Sequence, residues 1–281
     1  IQPRSQQFHQ VVGEINLLGS CAGQSNSDCT SPGPLLGGMA VSADGKRLYV
    51  AAPASTLYGG TTPWTPGRAP DQGKLIVINI DPQDQPLPSQ SATKNAQTWR
   101  RPIASFPAGA EPYAVTAASD PKRIMFTSRL SDRRGLWTLE VTNNDPTKFA
   151  ANVRSVPLEL GKDRAFGFDL DIQNATGVAV LPGQAYAFVA DWHIPFFPGW
   201  STSSGQRKEG AKIGIIADPF GPNPRLIAAT TPIPQGAADG LALSTGGRYL
   251  FATYRGANDV LVFDVQRLLA AVNDADNAAM L

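Results

Sequence analysis

One short pattern recurs along this chain and constrains its fold more than any other feature. Gly38-Met39-Ala40-Val41-Ser42-Ala43-Asp44-Gly45-Lys46-Arg47-Leu48-Tyr49-Val50 and Gly240-Leu241-Ala242-Leu243-Ser244-Thr245-Gly246-Gly247-Arg248-Tyr249-Leu250-Phe251 align without a gap. Between them, Tyr113-Ala114-Val115-Thr116 leads through Ser119-Asp120-Pro121 to Arg123-Ile124-Met125-Phe126. Likewise Gly177-Val178-Ala179-Val180 leads through Pro182-Gly183 to Tyr186-Ala187-Phe188-Val189. Each copy is an alternating apolar segment, a turn built on Gly or Asp-Pro, and a second apolar segment, which is the signature of a β-hairpin.

Every hairpin is followed by a third alternating segment, at 75–80, 136–141, 213–217 and 260–265, and candidate fourth strands lie at 103–106, 153–158 and 226–230. A small sheet of this kind cannot bury both faces alone, so repeated copies must cover one another. The expected fold is all-β: a β-propeller of about four four-stranded antiparallel blades. Composition agrees, because charged residues make up 17% of the 281 residues while glycines number 27 and prolines 24. Such a chain turns often and has little material for long charged helices. Segment 11–18 reads as a strand of the fourth type ahead of the first hairpin. It could pair with 260–265 and close the ring; otherwise the blades form an arc completed by a missing segment or another chain. The propeller is expected over 1–265, with 266–281 a short C-terminal helix or linker.

The run Val41-Ser42-Ala43-Asp44-Gly45-Lys46-Arg47-Leu48-Tyr49-Val50 resembles the strand-turn-strand core of the YVTN-repeat and lactonase-like bacterial propellers, and with its copies covers roughly half of the chain. The resemblance implies the propeller and leaves the activity open, since that family includes surface-layer proteins, scaffolds, lyases and lactone hydrolases. The blades here are longer than that family's usual unit, with the excess between strands two and three. Its closing strands are not recognisable beyond the alternation.

A net charge of +1 provides no basic footprint for a nucleic acid. No apolar run approaches the roughly 18 to 20 residues of a membrane-spanning helix, and the N-terminus lacks a signal-peptide layout. Because the sequence starts at Ile1, a leader, a tag or a larger parent is expected to have been removed, and other domains of a longer polypeptide are among the expected partners. Cys21 and Cys29 share a polar loop. A disulfide between them would stabilise by roughly 2 to 3 kcal/mol and needs an oxidising compartment, so the expected location is extracellular, periplasmic or at a bacterial cell surface.

In propellers the loops between strands two and three surround one mouth of the channel. Here two are long: 53–73 holds Tyr58 and Trp64, and 191–211 holds Trp192, His193, Phe196, Phe197 and Trp200. Exposed rings forgo burial that a protein or a sugar face could supply, although the same rings could form a small core under their own loop. Arg129 and Arg255 occupy the corresponding position in two other hairpins, and Glu111 and Asp239 share a repeat position between blades. These four could bind a polar ligand or a cation, or pair with one another.

Signals for chemistry are sparse. The two histidines, His9 and His193, lack zinc spacing, and neither a nucleophile elbow nor a phosphate-binding glycine loop occurs. Segment 169–174 resembles the start of a calcium loop but lacks its glycine and final Glu, and Asn174-Ala175-Thr176 fits a glycosylation acceptor. No cofactor or metal is expected. The expectation is a non-catalytic module that presents an aromatic rim to a protein or a glycan. The alternative is a lactonase-like or lyase-like hydrolase at the channel mouth. There His193, Asp191, Glu111 and Asp239 would be the catalytic candidates, while Arg129 and Arg255 would position a carboxylate or a lactone carbonyl.

Overall fold

A computed structural model describes residues 14–17, 22, 37–53, 73–86, 95–109, 111–129, 135–161, 170–192, 210–230, 237–255 and 259–272. The protein is a β-propeller of four antiparallel blades. The first comprises β1 (Met39–Val41), β2 (Arg47–Ala52), β3 (Lys74–Asn79) and β4 (Pro102–Pro107). The second comprises β5 (Glu111–Ala117), β6 (Arg123–Arg129), β7 (Leu136–Asn143) and β8 (Ala150–Val156), and the third β9 (Ala175–Val180), β10 (Tyr186–Asp191), β11 (Lys212–Ala217) and β12 (Arg225–Ala229). The fourth has β13 (Ala237–Leu243), β14 (Tyr249–Arg255) and β15 (Asp259–Asp264), and leads into α1 (Val265–Val272). The repeated hairpins are β1–β2, β5–β6, β9–β10 and β13–β14. Gly45, Gly183 and Gly246 take φ of 72°, 89° and 83° in three of their turns, a backbone region where a Cβ would be strained.

Strand alternation assigns each face of a blade to a different neighbour. Tyr49 of the first blade packs with Ile124 and Phe126 of the second. At the same repeat position, Met125 packs with Ala187 and Val189 of the third blade, and Phe188 with Leu250 and Ala252 of the fourth. At each of these three junctions one side of a second strand faces the next blade, whose own second strand turns its opposite side back toward it.

Arginines at the start of the second strand latch two of these contacts. Arg47 donates to the Asn144 carbonyl of the second blade and to Asn79 Oδ1 at 2.7 Å. Arg123 donates to Gln184 Oε1 of the third blade at 3.0 Å and lies 5.4 Å from the Phe220 ring centre. Helix α1 turns Val265, Leu268, Leu269 and Val272 inward, a helical stripe that extends the core between the third and fourth blades.

Among the described residues the four blades make three interblade cores, and no described strand joins the fourth blade to the first. Phe251, the fourth residue of the Tyr49 series, is 36% exposed, with Val260 and Val262 at 59% and 58% on the same face. At the other end, Met39 and Val41 are 59% and 48% exposed on the outer face of the first blade. Of segment 11–18, expected to close the ring, residues 14–17 are described. Residues 14–17 form no strand, and Ile15 and Leu17 pack on Val50, Ala52, Ile76 and Ile78 of the first blade. Among the described residues no helix is long and apolar enough to cross a membrane.

Candidate functional site

The innermost strands meet around the propeller axis, where sequence irregularity becomes geometry. The β5–β6 pairing shifts register between Pro112 and Val115, and the β13–β14 pairing between Ala238 and Leu241. A bulge leaves a main-chain N–H without its ladder partner. In both blades a threonine at the same repeat position accepts it: Thr127 Oγ1 from Ala114 N at 3.0 Å, and Thr253 Oγ1 from Gly240 N at 2.8 Å. Thr127 then donates to the Thr176 carbonyl of the third blade, and Thr176 donates to the Ala238 carbonyl of the fourth at 2.7 Å. Thr176 is fully buried in this chain of bonds, which gives the third residue of the Asn174-Ala175-Thr176 acceptor pattern a structural role.

On this floor sits a cluster drawn from three blades. Glu111 and Arg129 are cross-strand neighbours in the second blade and form an ion pair. The guanidinium of Arg129 lies 4.2 Å from the ring centre of Tyr113 and 4.5 Å from that of Trp192 in the third blade. Both distances are within cation–π range. The Tyr113 hydroxyl in turn donates to Asp239 Oδ1 of the fourth blade at 2.7 Å. Glu111 and the Arg129 side chain are only 3% and 11% exposed.

A second polar group lies deeper. Asp191, the last residue of β10, is fully buried. Its Oδ1 accepts from Gln173 N at 3.2 Å and Asn174 N at 2.9 Å, while Oδ2 pairs with Lys212 Nζ at 3.4 Å. Lys212 is its cross-strand partner at the start of β11. Tyr254 occupies the equivalent repeat position in the fourth blade and is 2% exposed; among the described residues its hydroxyl has no hydrogen-bond partner. Burial, and then the negative charge of Asp191, push its pKa well above the ordinary phenol value.

Of the residues singled out in the sequence, Glu111, Arg129, Trp192 and Asp239 come together at the axis, and Asp191 belongs to the neighbouring buried pair. Arg255 ends β14 opposite Ala237, and its side chain lies outside the described part of the chain. Tyr58, Trp64, His193, Phe196, Phe197, Trp200, Cys21 and Cys29 also lie outside the described residues. In segment 169–174, Asp171 accepts from Leu160 N at 2.6 Å and Gly161 N at 2.7 Å, which closes the loop ahead of β9.

Tyr113, Lys212 and Tyr254 escaped the sequence reading. Lys212 had a visible signal, a single cation in the apolar run Ala211-Lys212-Ile213-Gly214-Ile215-Ile216. A charge in such a run needs an opposite charge on the adjoining strand. The arrangement as a whole gives each acid a donor of its own: Glu111 has Arg129, Asp239 has Tyr113, and Asp191 has Lys212 with two main-chain amides. Its chemistry is that of a clasp joining blades two, three and four.

No protein-family model matches the chain, and no curated protein matches it. Solved structures do. A functionally unknown protein from Desulfotomaculum acetoxidans is similar at 10% identity and a TM-score of 0.48, covering 82% of this chain and 51% of its own. The β-propeller domain of Swd1 from Myceliophthora thermophila is similar at 11% identity and a TM-score of 0.46, covering 82% of this chain and 54% of its own. A Bacteroides uniformis protein described as a candidate 6-phosphogluconolactonase is similar at 14% identity and a TM-score of 0.48, covering 88% of this chain and 54% of its own. The chain spans about half the length of these structures.

Proposed function

We propose that this protein is a non-catalytic, protein-binding propeller module that acts outside the cytoplasm and contacts its partner through the loop rim above the Arg129 clasp. The observation that carries this reading is the engagement of Glu111, Asp239 and Asp191 with Arg129, Tyr113 and Lys212. A general acid or base must exchange protons with a substrate, and a carboxylate held by a buried cation or phenol would first have to break that contact. A rigid clasp is instead what a rim needs if its loops are to meet a partner without paying a large ordering cost. The sequence places Tyr58, Trp64, Phe196, Phe197 and Trp200 in those loops, and aromatic residues dominate protein-binding surfaces. The location rests on Cys21 and Cys29 and is checked by counting free thiols with and without reductant.

The test is capture from the source's extracellular fraction, followed by affinity measurement on the purified partner with the wild type and the double variant Trp64→Ala/Trp200→Ala. At least about tenfold weaker binding by the variant is expected. Rim-dependent binding to a glycan array would overturn the protein assignment. Turnover of a lactone panel by the wild type, abolished in His193→Ala, would overturn the non-catalytic one.

A further inference from the structure

The two exposed ends of the arc are the two halves of one interface. Inside the chain, the face that carries Tyr49, Met125 or Phe188 is always covered by the opposite face of the following blade, which carries Ile124 and Phe126, Ala187 and Val189, or Leu250 and Ala252. Phe251 continues the first series, and Leu48 and Val50 precede the second. On the fourth blade, Val260 and Val262 lie opposite Thr253 and Phe251 across the β14–β15 pairing. On the first blade, Val41 and Met39 lie opposite Leu48 and Val50 across the β1–β2 pairing. Ile15 and Leu17 rest on this face over Val50, Ala52, Ile76 and Ile78 and leave Met39 and Val41 at 59% and 48% exposure.

We infer that a second copy of this chain covers these ends: the Phe251–Val260–Val262 face of one copy seats on the Met39–Val41 face of the other, and the reverse. The contact continues an interface that the chain already makes three times within itself. Such a contact joins unlike surfaces, so it either closes into a ring or adds copies without limit. Two arcs bring about eight blades round one axis, the upper end of what propellers hold, whereas a third would exceed it. The closed assembly is therefore a dimer. It buries apolar patches that a monomer would leave to solvent. The inference concerns the blade faces and stands apart from the rim reading, since rim variants leave it untouched.

The test is sedimentation velocity on the 281-residue chain across about 1 to 100 µM, a span that brackets micromolar association. The wild type is expected to sediment as a dimer. Val262→Lys and Val41→Glu, both at exposed positions and both checked for unchanged circular dichroism, are each expected to raise the dissociation constant at least about tenfold. Mixing the two variants restores one undamaged and one oppositely charged contact, so the mixture is expected to dimerise where neither variant does alone. A wild type that stays monomeric throughout overturns the inference and assigns the faces to another occupant. A dimer indifferent to both substitutions, or no recovery on mixing, overturns it as well, as does growth into larger species.

Discussion

The Tyr113 hydroxyl of the second blade donates to Asp239 of the fourth at 2.7 Å, so a single side chain spans the third blade at the axis. The same ring carries the Arg129 guanidinium at 4.2 Å. A tyrosine that bonds a carboxylate with its tip and a cation with its face couples the second blade to the fourth.

Loss of either half of this coupling should be measurable. Tyr113→Phe keeps the ring under Arg129 and removes the bond to Asp239, which is half-buried and regains water; a loss of about 1 kcal/mol is expected in urea unfolding. Arg129→Lys keeps the charge beside Glu111 but has no planar face for Tyr113 and Trp192, and should lose about 1 to 2 kcal/mol. Equal stability of Arg129→Lys and wild type would show that the stacking contributes nothing.

The buried pair should behave asymmetrically. Asp191→Ala removes the carboxylate that faces the Lys212 ammonium, itself 2% exposed, and the acceptor of two main-chain amides, and is expected to cost roughly 3 to 5 kcal/mol. Replacing both partners, Asp191→Asn with Lys212→Met, removes the buried charge while the Asn side-chain oxygen can still accept from Gln173 N and Asn174 N, and should recover most of that loss. A double variant no more stable than Asp191→Ala would contradict this account.

Alkali should find Tyr254. Its pKa is raised in the folded state by burial and by Asp191, so its contribution to stability is complete below about pH 10, the unfolded phenol value, and declines as pH rises above it. Tyr49 is buried and raised in the same way, with burial the main cause. Tyr254→Phe should therefore be about as stable as wild type at pH 7, because the lost hydroxyl has no partner among the described residues, and relatively more stable above pH 10. Parallel stability–pH curves for the two proteins would contradict it.

Backbone proximity at the axis leaves no room for a side chain at Gly177. A Cβ there would stand 2.6 Å from the Asp239 carbonyl oxygen and 2.8 Å from Leu241 N, both main-chain atoms of the next blade. Gly177→Ala should cost about 2 kcal/mol or more by forcing the third and fourth blades apart. Guanidinium unfolding reads the loss, and an unchanged midpoint would show that the blades can separate freely.

Much of the fold was legible because it rests on period-two alternation, which a sequence displays directly. The hairpins, the third strands and helix α1 all follow from it, as does the equivalence of Arg129 with Arg255; Glu111 and Asp239, expected at one repeat position, are not equivalent, because Arg129 lies opposite Glu111 whereas Arg255 lies opposite Ala237, which sets Asp239 level with Tyr113. The pairing of Glu111 with Arg129 stood among the expected alternatives. Tyr113 was harder, because it sits inside the bulge between Pro112 and Val115, where alternation stops predicting which way a residue faces. Ring closure by segment 11–18 was not legible, because only residues 14–17 of that segment are described and they form no strand. Ile15 and Leu17 pack on the first blade's face, where the outer strand of a preceding blade would also lie.

The arginine latches are unevenly shared out. Arg47 and Arg123 tie the first blade to the second and the second to the third, but the same position holds Tyr186 and Tyr249 in the last two blades. Cooperative units open where cross-ties are fewest. Amide exchange should accordingly run faster in β15, which carries no such tie, than in β13, which Tyr113 and Thr176 fasten to the second and third blades: the arc frays from the outer strand of its last blade.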